Sequence, residues 1–182
     1  MPDEEVDMPD DVAELRGTLR AWERPEGMTV EEFMALPCDE LRERLGEPVA
    51  QAENIVVNNL FYDVLGLMTG AGATSIAVAA LAVGNGALGG GPARTDSSLV
   101  GELKRYLTMS TSLSATDPIS AVFSFFMPAA DGAMTLTEAG MFHAGSTTAV
   151  GTGRMTTHVA FAYSKGATTD TRVDYTLTRS LT

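Results

Sequence analysis

The sequence predicts a mainly β protein with a helical N-terminal part: an α+β chain whose body is an antiparallel β-sandwich or open barrel with one long helix packed along it. Three observations carry this reading. Beyond Tyr106, apolar residues recur at every second position in short segments separated by Gly, Pro and Asp, the period of strands with one wet and one buried face. Before Met68 they recur at three- and four-residue intervals, the period of amphipathic helices. Between the two, the apolar run 76–83 is too short for a free-standing helix and has the length of a buried, central strand.

Residues 1–47 read as an acidic helical arm and residues 48–182 as the β-sandwich domain with its leading helix. Asp10 stands at an N-cap position, and Val12, Leu15, Leu19 and Trp22 follow at helical spacing to form one apolar stripe. Pro25-Glu26-Gly27 ends that helix. Thr29-Val30-Glu31-Glu32 has the form of a capping box and opens a second helix through Phe33, which Pro37 stops. A third begins at Cys38-Asp39 and carries Leu41 and Leu45 to Gly46. Three short helices make little core of their own, so the stripe bearing the single Trp is covered either by the chain's own sheet or by a neighbouring molecule.

Pro48 suits a first helical turn, and Val49, Ala52, Val56, Leu60, Val64 and Leu67 keep helical spacing, which predicts one long buried helix over 48–68. After the strand at 76–83, Gly84-Asn85-Gly86 and Gly89-Gly90-Gly91-Pro92 swing the chain out in a wide loop. Asp96 can cap a short helical turn carrying Leu99 and Leu103. Strands are expected at 106–113, 119–127, 134–142, 155–163 and 173–177. Glu138 and Gly140 interrupt the fourth of the six strands, which predicts a bulge or the close approach of another chain.

The net charge is −12, and residues 1–53 hold 16 acids and 5 bases against 8 and 7 in the remainder. The acidity therefore belongs to the arm. Nucleic acid is not an expected partner, because neutralising phosphates takes clustered Lys and Arg. The single cysteine, Cys38, excludes an internal disulfide and a multi-cysteine metal site, and reads as a small apolar filler. The opening Met1-Pro2-Asp3-Glu4-Glu5 is acidic where a secretory leader is basic, so no such leader is expected. Residues 64–92 contain no charge, but their glycines and hydroxyls suit a buried strand and loops rather than a membrane span.

Catalytic and cofactor patterns are incomplete. Gly84 to Gly89 fits G-x-G-x-x-G after a strand, yet Gly90, Gly91 and Pro92 follow where a pyrophosphate-binding helix has to start. No G-K-[ST] or G-x-S-x-G sequence is present. His143 and His158 lack the spaced companions of a metal site and read as surface or satisfied core histidines. Among Glu102, Asp117, Asp131 and Glu138 nothing singles out a catalytic carboxylate pair. The expectation is a protein that is not an enzyme and takes no cofactor.

One ordered set of short motifs remains. Asn59-Leu60-Phe61-Tyr62-Asp63 precedes Ala82-Val83-Gly84-Asn85-Gly86. Pro92-Ala93-Arg94-Thr95-Asp96-Ser97-Ser98-Leu99 and Lys104-Arg105 follow, then Thr137-Glu138-Ala139-Gly140-Met141-Phe142 and a closing Tyr175-Thr176-Leu177-Thr178. In this order they resemble small virion structural proteins of tailed bacteriophages, of the tail, baseplate, fibre-associated or head-decoration type, over roughly residues 54–182. The resemblance implies an architectural role in the virion, assembled in the host cytoplasm, and brings no catalytic residues. The expected partners are other virion proteins and further copies of the chain, in closed symmetry with a trimer favoured. The arm stripe (Val12, Leu15, Leu19, Trp22) and the loop residues Gly84, Asn85, Gly86 and Arg94 are the expected contact points. Placement as a tail-associated or a head-decoration protein stays open, and a glycan-binding module of a fibre is the alternative from another class, with Trp22 as its one Trp.

Overall fold

Alternation of inward apolar and outward polar residues builds most of the chain. A computed structural model describes residues 14–70, 77–114, 118–143 and 145–180. Its strands are β1 (Glu14–Glu23), β2 (Ala50–Val56), β3 (Ala80–Gly84), β4 (Glu102–Ser114), β5 (Ile119–Met127), β6 (Met134–His143), β7 (Arg154–Met155), β8 (Thr157–Lys165) and β9 (Thr171–Ser180). The helices are α1 (Val30–Ala35), α2 (Cys38–Leu45) and α3 (Asn58–Thr69).

Every strand pair is antiparallel. The bonded order is β3-β4-β5-β9-β1-β2-β8-β6, and β3 pairs with β6 as well as with β4, so eight strands close into a barrel. β7 continues the β8 edge along the end of β6, opposite Phe142 and His143. Closure leaves the ring without edges, which removes the open-barrel and sandwich expectations in favour of a closed one. The interior is a single apolar cluster to which every long strand contributes, among them Leu19, Leu81, Tyr106, Phe125, Met141, Phe161 and Tyr175. β3 is the central strand the sequence predicts, shorter than expected but buried at all five positions.

The helical N-terminal part is corrected. Leu15 and Leu19 lie in β1, which is bonded to β9 on one side and β2 on the other. A spacing of four fits one helical turn and two strand repeats alike, so those leucines satisfy both periods. The strand period wins because Gly17 and Ala21 complete the inward row while Arg16, Thr18 and Arg20 alternate with it. The boundary at 47/48 thus falls inside one barrel, between α2 and β2, and β1 is not a detachable arm. The capping box at Thr29 and the helix from Cys38 are present as expected.

The long packed helix is corrected too. Ala50 and Ala52 turn into the barrel, while Gln51 and Glu53 point outward, making β2 from the first half of that stretch. Only 58–69 is helical, and Asp63 is its single buried residue. The expected cap at Asp96 is replaced by an irregular strap that runs straight into β4.

Candidate functional site

The loop between β3 and β4 folds back over the outer face of β6 and β8, and a fully buried carboxylate holds it there. β6 carries an irregularity between Leu136 and Glu138. That bulge puts Ala139 and Met141 into the core and turns Glu138, Gly140 and Phe142 outward under the loop. Glu138 Oε1 accepts the N–H of Gly101 at 2.6 Å and of Gly86 at 3.2 Å, and Oε2 accepts the N–H of Val100 at 3.0 Å. A β-carbon on Gly86 would stand 2.5 Å from Glu138 Oε1 and 2.5 Å from the Gly101 nitrogen, so the close approach requires glycine.

The Glu138 network extends through His158 on β8. Its Nε2 lies 3.0 Å from Glu138 Oε2 and its Nδ1 lies 2.6 Å from Asp96 Oδ2. Both ring nitrogens lie at hydrogen-bond distance from carboxylates, so the row Glu138–His158–Asp96 joins the strap to β6 and β8. Asp96 also accepts the Ala93 N–H at 2.7 Å, which ties down the far end of the strap. Partial burial pushes the Asp96 carboxyl up, but the Ala93 N–H and the His158 ring outweigh it and hold it below the usual carboxylate range.

An apolar seam runs beside these groups. Leu99 packs with Val57, Ala82, Phe142 and Met155, and the Arg105 guanidinium stacks 3.9 Å from the Phe142 ring centre. Arg105 pairs with Glu102 and donates to the Thr152 carbonyl and to Ser146 Oγ at 3.1 Å, which fastens the β6–β7 loop. His143, at the end of β6, sets Nδ1 3.0 Å from the Arg154 carbonyl and Nε2 2.8 Å from Asp63 Oδ2. Both histidines are therefore satisfied core residues, as the sequence predicts. A carboxylate–imidazole–carboxylate row can bind and orient, but here its acceptors are filled by the chain's own N–H groups. No group of three or more His, Cys, Asp or Glu among the described residues is arranged to hold a metal ion.

The expected contact residues separate into three groups. Val12 lies outside the described residues. Leu19 is in the core and Leu15 half-buried, while Trp22 points outward from β1 and is covered by Phe33 of α1 and Leu41 of α2. Arg172 on β9 pins those helices: it pairs with Asp174 at 2.8 Å and donates to the carbonyls of Phe33, Met34 and Leu36 at 3.1, 3.2 and 2.6 Å. The stripe is thus used by its own barrel, and the aromatic face that glycan binding asks of Trp22 is already occupied. Gly84 and Gly86 approach Glu138 of their own chain rather than a partner. Asn85 and Arg94 are exposed, the Arg94 carbonyl accepting the Asn58 N–H at 2.8 Å.

Sequence reasoning misses the Glu138–His158–Asp96 row, the pairing of Asp63 with His143, and Arg172 with Asp174. The available signal was charge at strand positions of fixed parity, such as Arg172-Val173-Asp174, where two opposite charges share one face. Cys38 sits beside this pair, and burial, then the Asp174 carboxylate, push its thiol up to about 12. No family model, curated protein or solved structure matches the chain.

Proposed function

We propose that this chain is a structural component of a tailed-virus particle, a tail, baseplate or fibre-associated protein that assembles with copies of itself and with other virion proteins. The observation that carries the reading is the convergence of the resemblance motifs. Gly84 and Gly86, Asp96 and Leu99, Arg105, and Glu138, Gly140 and Phe142 come from four separate stretches, and they meet in one fastening of strap to barrel. What supports the reading is that the residues carrying the resemblance include the ones that hold the strap down. Their chemistry is also architectural: buried, mutually satisfied groups that fix a loop.

On this reading the chain has no catalytic turnover, and its contact surfaces lie elsewhere than Leu19 and Trp22. The test is composition of the particle. When virions encoding this chain are banded by density and analysed by quantitative mass spectrometry, the protein is expected to co-purify in constant ratio to the major capsid subunit. Few copies per particle fit a tail position, and hundreds fit head decoration. Abundant protein in infected cells that is missing from banded particles would refute the assignment.

A further inference from the structure

Helix α3 keeps Leu60 and Val64 half-buried on the side of Asp63 and turns its remaining large apolar residues away from the barrel. Phe61, Leu65 and Met68 follow one another at intervals of four and three, with Tyr62 beside them, and they are 45, 57, 77 and 68% exposed in that order. Three- and four-residue spacing places such side chains on one stripe of a helix. The helix is held from the other side. Asp63 meets His143 Nε2 at 2.8 Å and Arg154 Nε at 2.9 Å, and it is the only charged residue in α3.

Short helices in proteins owe most of their stability to packing of an apolar face, and α3 has its apolar face in water with Gly66 in its second half. The occupant that would cover it can be read from charge. The chain carries a net −12, so two copies repel unless they meet through a neutral face. Residues 64–92 hold no charge, and the one acid of α3 is neutralised by its partners beneath the helix. A basic partner attracted by the acidic surface would have nothing to pair with here.

We propose that α3 is a self-association surface on which a second copy lays its own α3 antiparallel about a two-fold axis at Leu65. Leu65 then faces its counterpart, and each Met68 lies against the other copy's Tyr62, a thioether on an aromatic ring. The contact is isologous, and its elementary unit is a dimer rather than the trimer expected from the resemblance. It rests on α3 alone and is independent of the virion assignment.

The test uses the full chain in solution. Light scattering with size-exclusion chromatography is expected to give a concentration-dependent dimer, and Leu65→Glu to raise its dissociation constant at least ~100-fold by setting like charges face to face. Circular dichroism on the same variant reports whether the barrel stays folded. Independently of that variant, Leu65→Cys in a Cys38→Ser background is expected to cross-link quantitatively between copies under mild oxidation, whereas Asn85→Cys is not. A wild-type monomer throughout the accessible concentration range overturns the proposal. So does an oligomer that Leu65→Glu leaves intact, or one in which Leu65→Cys fails to cross-link.

Discussion

Two helical pieces lie on the outside of the same barrel and are attached by opposite means. α1 and α2 are attached through apolar side chains: Phe33 and Leu41 close over Trp22, and the buried Arg172 ties the end of α1 to β9. The one buried side chain of α3 is a charge, Asp63, held by His143 and Arg154 with Leu60 and Val64 half-buried beside it, and Phe61, Tyr62, Leu65 and Met68 are left facing outward. Where the apolar face serves as the anchor, the surface that remains is mostly polar, with Val30 and Ala35 exposed at its rim. Where an ion pair serves as the anchor, the apolar face is free for another molecule. That difference is the reason α3, rather than Leu19 or Trp22, is proposed as the contact element.

The comparison breaks first if the N-terminal segment is removable. Deleting residues 14–46 takes out β1 and with it the pairing to both β2 and β9. The expected outcome is loss of cooperative unfolding and of native circular dichroism; a truncated chain that still unfolds in a single sharp transition would show that the barrel does not need β1.

Next in size is Arg172→Ala, which leaves Asp174 buried without its cation and three carbonyls without a donor. It should cost about 3–5 kcal/mol in urea unfolding. Leu65→Ala, measured at a dilution where the chain is monomeric, should change stability by no more than ~0.5 kcal/mol. Equal costs at the two sites would erase the contrast between closed and open faces.

Gly86→Ala examines the strap over β6 and β8. Its β-carbon meets the Gly101 backbone and Glu138, and about 1–3 kcal/mol of destabilisation is expected from overpacking. A variant as stable as the parent would mean that the loop is not held down as described.

The smallest effect concerns acid. Burial raises the Asp170 carboxyl, but the Ala129 N–H and Arg24 outweigh it and the net shift is downward. A carboxyl lowered in the folded state stabilises above its unfolded value near ~3.9, and that contribution is lost as pH falls through the folded value. Asp170→Asn should therefore lower stability at neutral pH and flatten the decline below about pH 4. An unchanged acid limb, followed by fluorescence of Trp22, would deny Asp170 that role.

Much of the barrel was legible because strand residues alternate cleanly. β5 begins and ends where the period of two does, and β6, β8 and β9 depart from it by a few residues. β1 and β2 were not, since their leucines and alanines sit at spacings that suit either period, and only pairing with β9 and β8 decides between them. The bulge before Glu138 was foreseen, but its cause was not. The expected approach of another chain proves to be that of Gly86 and Gly101, 52 and 37 residues away along the same chain. Contacts at such separations leave no local mark, which is why the His158 and Asp96 partnership was also out of reach.

The most direct trial of the account is hydrogen–deuterium exchange of the full chain at two protein concentrations far apart. Amides of α1 and α2 should exchange slowly and identically in both samples, while those of α3 should exchange quickly in the dilute sample and gain protection in the concentrated one. If α3 is equally protected at both concentrations, or if α1 and α2 open first, the assignment of a sealed face and a free one is wrong.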